Sequence, residues 1–170
     1  MKNLKLTSLG CVLSLVLAAV AVPALASGDK AHAAHGTRHA GPAQKDWGIA
    51  GKAKASTRTV QVEIDKSLRF LPSSVSVKKG ETLRFVVTNR SEVPHEFVLG
   101  TTAENQRHAE AMLKNPQMVH DEPHQASISP GNSKEVIWTF NRAGEFEFAC
   151  MVPGHYVLGM KGKIAVAGVR

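Results

Sequence analysis

Cysteine is scarce in this chain of 170 residues: there are two, Cys11 and Cys150. Tyrosine occurs once, and aromatic residues make up 5% of the sequence. So few thiols exclude a disulfide-stapled fold. The longest apolar run, Gly10 to Val22, is too short and wrongly flanked for a membrane-spanning helix, which takes about 20 residues. No internal repeat and no G-x-G-x-x-G loop is present. Lys and Arg outnumber Asp and Glu by 21 to 14, a formal charge of +7, but they do not cluster with aromatics, so nucleic acid is not the expected partner. A spread positive charge favours acidic protein partners by steering.

What is present begins with a secretory signal over residues 1–26. Lys2 and Lys5 give a positive start, and Ala24-Leu25-Ala26 is a small-x-small cleavage site, so the mature chain is expected to start at Ser27. Ser8-Leu9-Gly10 before Cys11 is a poor lipoprotein signal, so export to the periplasm is expected, with no lipid anchor and no remaining membrane span. Loss of two lysines and no acids takes the charge from +7 to +5. Cys150 is then the sole cysteine. An unpaired thiol in an exported protein is a liability, and a bound metal removes it.

Residues 27–56 are rich in Ala, Gly, His and Lys without an apolar period, which predicts a flexible tail. His32, His35 and His39 within it form a loose cluster of the kind that binds metals weakly. From Thr57 the pattern changes to alternation at period 2. Val60, Val62 and Ile64 share one parity, as do Val75 and Val77, then Leu83, Phe85 and Val87, then Val136, Trp138 and Phe140. Short strands with turn signals between them predict an all-β sandwich or barrel. One segment breaks the pattern. Thr101 and Glu104 stand at capping-box spacing, Ala103 to Lys114 are good helix formers, and Asn115-Pro116 ends them. A helical insert is therefore predicted within residues 101–124.

The chemistry concentrates near the C-terminus. Cys150, His155 and Met160 follow one another as Cys-x4-His-x4-Met, and His95 stands upstream in Val93-Pro94-His95. Phe146, Phe148 and Cys150 share a parity, as do His95, Phe97 and Leu99, so the thiol and the first imidazole are predicted to face the core. Residues 162–167 alternate again, so Cys150, His155 and Met160 lie on one loop between adjacent strands. Gly154 and Gly159 precede two of them, where a tight loop needs permissive backbone. Each residue alone has a bland explanation: a buried small hydrophobe, a core histidine, a core methionine. Together, two His, one Cys and a weak axial Met are the ligand set of an electron-transfer copper site. His155 sits among Val152, Pro153, Tyr156, Val157 and Leu158, which either form a docking patch or pack inward.

A second constellation lies in the insert. His108 and Met112 are four apart on one predicted helix face, and Met118, His120 and His124 follow. Thioethers favour Cu(I) and imidazoles serve either oxidation state, so a second copper site is one reading. The other is that the methionines fill the core and the histidines are solvated.

Residues 57–169 resemble the type 1 copper proteins, the cupredoxins. Phe70-Leu71-Pro72, Val77-Lys78-Lys79-Gly80-Glu81-Thr82, Asn89, Pro94-His95, Gly144-Glu145-Phe146 and the loop from Cys150 to Met160 carry the resemblance. With its insert and His-containing tail, the chain is most similar to periplasmic cupredoxins of bacterial copper-tolerance systems. The resemblance implies an antiparallel Greek-key β-sandwich over residues 57–170 and one copper at His95, Cys150, His155 and Met160. Glu96 departs from the pattern, since several family members carry there an Asn that helps hold the loop. The expected function is copper handling, with a mobile one-electron carrier as the alternative, and a redox or copper-trafficking protein as partner to a monomer. Enzyme activity is not expected: there is no His-x-His motif, and Ala149 rather than His precedes Cys150.

Overall fold

The computed structural model describes residues 42–118 and 122–168. Ten strands and one helix follow in order: β1 (Ile49–Ala50), β2 (Arg58–Ile64), β3 (Phe70–Leu71), β4 (Ser74–Lys78), β5 (Thr82–Asn89), β6 (His95–Gly100), α1 (Thr102–Lys114), β7 (Gln125–Ile128), β8 (Ser133–Thr139), β9 (Gly144–Ala149) and β10 (Lys161–Ala167). They form two five-stranded sheets, ordered β1-β8-β5-β2-β3 and β4-β10-β9-β6-β7.

The alternation read from the sequence is what closes the sandwich. Val62, Ile64, Leu83, Phe85, Val87 and Val136 of the first sheet are buried, as are Val77, Phe97, Leu99, Phe148 and Ile164 of the second, and they belong to one cluster. The Phe85 and Phe97 rings meet across the sheets at 5.3 Å. Phe97 and Phe148 stack at 5.4 Å, and Phe70 sets its edge against both. Each fully buried side chain of this size contributes about 1.5–3 kcal/mol.

The sheets are mixed rather than purely antiparallel. β2 pairs β5 in parallel, Val60 opposite Phe85, and β10 pairs β4 in parallel, Ile164 opposite Val75. The cause is the route of the chain: after β2 and β3 it crosses to the other sheet for β4, then returns as β5 in the direction of β2. Period-2 patterning reports which face a residue takes and not the direction of its strand.

Residues 42–56, the described part of the tail expected over residues 27–56, are held against the domain. Within the described part, Trp47 is buried, and Trp138 Nε1 donates to its carbonyl at 3.0 Å. β1 pairs with β8, Ile49 opposite Thr139, and a short 3-10 turn at Ala53–Ala55 leads into β2. A two-residue strand is too short to display a period, and a single large side chain anchors the segment. The expected signal (1–26) and the tail histidines His32, His35 and His39 lie outside the described residues. Among the described residues no helix is long and apolar enough to cross a membrane.

The predicted insert is α1. Thr101 is its N-cap, accepting from the Glu104 amide at 3.1 Å, and Asn115 ends it. The helix lies outside the sandwich. Val98 and Ala149 have the opposite parity to Phe97 and Phe148, so they emerge on the outer face of the second sheet. There they join Ala109, Met112, Met151 and Tyr156 in a small separate core.

A candidate metal centre between β6 and the β9–β10 loop

His95 heads β6, in register with Ile128 of β7, and is 1% exposed. Cys150 follows β9 directly, is fully buried and shares the main core with Met160. The connecting loop is closed by its own backbone. Cys150 N–H donates to the Met160 carbonyl at 3.1 Å, and Met160 N–H to the His155 carbonyl at 2.9 Å. Gly154 and Gly159 take φ of 88° and 86°, the left-handed region where a Cβ is strained. Those turns swing His155 back over the thiol.

The ligand atoms converge. Cys150 Sγ lies 3.7 Å from His95 Nδ1 and 3.4 Å from His155 Nδ1, and the three atoms all lie within 4.8 Å of one another. The two imidazole rings are 5.0 Å apart. One thiol and two imidazoles at this spacing match the His2Cys trigonal set of type 1 copper.

A hydrogen-bond chain positions His95. Its Nε2 lies 2.8 Å from Ser91 Oγ, which lies 2.8 Å from Asn89 Oδ1. Asn89 is fully buried and donates through Nδ2 to the carbonyls of Val93 and Ile128. A proton on Nε2, donated to Ser91, leaves the Nδ1 lone pair facing the thiol. Such outer contacts fix tautomer and ring orientation in metal sites. Ser91 was missed in the sequence. The signal was available as an Asx turn, in which Ser91 N–H donates to Asn89 Oδ1 at 2.9 Å. Glu96 still serves the site through its backbone, its amide donating to Cys150 Sγ at 3.4 Å. Asn89 holds the loop before His95 from the other side.

Electrostatics suit a metal that needs neutral imidazole and a thiolate. Burial, with the charge of His155 adding to it, pushes His95 down to about 4. Burial also lowers His155. The Cys150 thiol is pushed up to about 11 by burial, against the downward pull of the Glu96 and Val152 amides. Both imidazoles therefore offer lone pairs at neutral pH, while the thiol keeps its proton until a metal displaces it.

Around His155 the loop divides. Tyr156 is buried and bonds Glu147 through its hydroxyl at 3.1 Å, and Val152 packs against the core, but Val157 and Leu158 are 76% and 66% exposed.

The second constellation is partly assembled. A cavity of about 400 Å³ is lined by Trp47, Leu99, His108, Met118, Glu122 and His124, among others. Met112 does not line it. Its side chain is buried in the small core beneath α1, the core-filling role that the sequence left open. His120 lies outside the described residues.

These features define a class: a β-sandwich with a His-Cys-His centre at one end. A family model described as copper binding proteins, plastocyanin/azurin family, matches residues 56–167. The chain belongs to that family, the cupredoxins, and copper is the metal its centre takes. More particularly, it is similar to the copper-resistant cuproprotein CopI of Rubrivivax gelatinosus, 41% identical over 156 residues, covering 90% of this chain and 94% of that one. The protein of the same name from Pseudomonas aeruginosa is 33% identical, covering 81% of this chain and 87% of the relative. Among solved structures, auracyanin B matches with a TM-score of 0.60 and 23% identity over 75% of this chain and 96% of its own. Auracyanin A, a "blue" copper protein of Chloroflexus aurantiacus, matches with a TM-score of 0.56 and 28% identity over 64% and 98%.

Proposed function

We propose that this is an exported copper-handling protein that acts in copper tolerance through one redox-active type 1 copper centre. The observation that carries the reading is the convergence of His95, Cys150 and His155 on one point at the end of a rigid core. Similarity along most of the chain to proteins named copper-resistant supports the tolerance role.

Copper would be held by His95 and His155 through Nδ1 and by Cys150 as thiolate, with Met160 as a further, weaker donor. Bound copper supplies a one-electron couple between Cu(I) and Cu(II). The protein's part is to hold the donors still. Ser91 pins the His95 ring, the Glu96 amide steadies the sulfur, and the loop hydrogen bonds fix His155 relative to Met160. A donor set held by the core rearranges little when one electron arrives or leaves. Burial of Cys150 shields the thiolate from water and oxidants.

The export reading rests on the N-terminal signal pattern of residues 1–26, and the proposed setting is the periplasm, with the protein acting as a monomer. The proposed organisation is that signal, a His-containing tail and the copper domain. A catalytic role is not proposed, because the chain lacks the His-x-His motifs of a trinuclear copper cluster.

A specific observation favours a second reading, a mobile one-electron carrier. Val157 and Leu158 are exposed on the loop that carries His155, an apolar surface through which a redox protein could reach that imidazole.

The deciding experiment is a Cu(II) titration of the purified protein, followed by visible absorption. An intense thiolate-to-copper band that saturates at one equivalent is expected. Absence of the band sinks the type 1 assignment. A reversible potential with only one copper taken up favours the carrier over copper handling.

A further inference from the structure

We propose that the cavity beside α1 is a second metal site, separate from the type 1 centre, which takes Cu(I) through His108, Met118 and His124. The inference rests on the copper-handling reading above. It names the form of copper handled and where.

His108, Met118 and His124 all line one cavity of about 400 Å³. His124 is already oriented for ligation. Its ring sits between Trp47 and Trp138, with centroids at 5.3 and 5.8 Å. Glu122 Oε2 lies 3.3 Å from its Nδ1. A carboxylate beside one ring nitrogen favours the proton there and leaves the other nitrogen for a metal. Nε2 is thus the ligating atom. The main-chain carbonyl of His124 also accepts from Leu99 N–H at 3.0 Å, which ties the ring's backbone to β6.

The charge around the cavity selects the kind of ion. Lys45 and Arg107 line it, but so do Glu122 and Glu104, and they pair as Lys45–Glu122 at 3.7 Å and Arg107–Glu104 at 2.8 Å. Among the described lining residues the acids are engaged with cations, and His108, His124 and Met118 bring imidazole and thioether donors. A hard divalent ion such as Mg²⁺ or Ca²⁺ asks for carboxylates and carbonyls. Imidazole and thioether donors with no net charge suit a soft monovalent ion, and among biological metals that is Cu(I).

The lining also contains unmet polar capacity. Asn105 Nδ2 and Gln125 Oε1 are buried without a hydrogen-bond partner and both residues line the cavity. Asn105 is 1% exposed. An apolar void stays dry, whereas polar groups in a cavity call for a polar occupant. Met118 is 37% exposed, so the soft donor stands at the mouth.

The two sites share β6 but no ligand. His95 heads the strand and Leu99, four residues on, lines the cavity. At about 3.3 Å per residue the separation along the strand is ~13 Å. Filling the cavity therefore leaves the visible band of the type 1 centre unchanged.

The test uses the full chain carrying Cys150→Ala and His155→Asn, to disable the main centre, with His32→Asn, His35→Asn and His39→Asn, to remove the tail donors. This protein is titrated anaerobically with Cu(I) against the chromophoric chelator bicinchoninate. One equivalent withheld from the chelator is expected. Met118→Leu, at a partly exposed side chain whose replacement spares the fold, should weaken retention at least tenfold without changing the melting temperature. His124→Asn should do the same, and Glu122→Gln should weaken it about tenfold through the imidazole it orients. X-ray absorption of the Cu(I)-loaded protein should show a sulfur scatterer that Met118→Leu removes. No Cu(I) withheld, or retention unchanged by both Met118→Leu and His124→Asn, overturns the proposal. The Cu(II) band of the unmodified chain, read in parallel, reports only on the type 1 centre, so either idea can fail while the other stands.

Discussion

Replacing Ser91 by Ala should weaken copper binding about tenfold without abolishing the visible band. Ser91 touches no ligand atom that faces the metal. Its hydroxyl holds His95 Nε2 at 2.8 Å, on the far side of the ring from the thiol. Without copper this is a hydrogen bond between neutral groups, worth about 0.5–1.5 kcal/mol net. With copper on Nδ1 the ring carries positive charge, Nε2–H becomes a stronger donor, and the bond moves towards the 1.5–3 kcal/mol of charge-assisted pairs. The difference, about 1.4 kcal/mol, corresponds to about tenfold in affinity. It falls at the lower edge of the 10–100-fold losses typical of outer-shell substitutions. Apo stability should also fall by about 1–2 kcal/mol, since Ser91 is buried and Asn89 Oδ1 loses one of its two donors. The assays are competition of Cu(II) against a chelator of known affinity and chemical denaturation of the apo protein. An affinity within twofold of the unmodified protein would refute the reasoning. Disappearance of the band would instead mean that Ser91 is indispensable for assembling the ligands, which its position does not support.

Cys150→Ser should remove the visible band while leaving the far-ultraviolet circular dichroism unchanged; the same band persisting would remove Cys150 from the site. Met160→Gln should keep copper bound but shift the reduction potential, read by voltammetry, and an unchanged potential would argue that Met160 is not axial. Copper loading should release one proton, because the thiol sits at about 11 in the apo protein and binds as thiolate. Cu(II) affinity should therefore rise about tenfold from pH 7 to pH 8, with His95 and His155, both lowered, contributing little there. Equal affinity at the two values would contradict it. Trp47→Ala should destabilise the fold by about 3–5 kcal/mol in denaturant, the usual loss for a buried aromatic; a loss below about 1 kcal/mol would mean that the segment before β2 is dispensable.

The convergence of His95, Cys150 and His155 was legible because copper chemistry demands residue types that rarely coincide by chance. Cys150 and His155 are separated by a loop whose glycines show its turns. His95 lies 55 residues before Cys150, and the parity it shares with Phe97 and Leu99 placed it in the core. The helix announced itself through Thr101 and Asn115. Strand direction was not legible, because alternation in β2 and β5 is the same whether they run parallel or antiparallel. The reach of the folded domain before residue 57 was hidden for another reason. Trp47 is the only large apolar side chain in residues 42–48, and composition dilutes one residue among many small and polar ones. Met112 and His108 looked equivalent at helical spacing, but α1 leans on the outer sheet face so that Met112 is covered by Met151 and Tyr156 while His108 faces the cavity. Ser91 escaped notice because a serine in a turn is common, and only the third dimension brings its hydroxyl to the imidazole.

The depth of Cys150 has a bearing on time as well as on chemistry. Thiol–disulfide exchange and oxidation both proceed through the thiolate. A thiol at about 11 is ionised in roughly one molecule in ten thousand at pH 7. Its sulfur is also walled off by Phe148, Met160 and the β6 backbone. The empty-handed form of the protein can thus linger in an oxidising environment without dimerising or decaying. The apo protein stays ready to take up copper whenever the metal arrives.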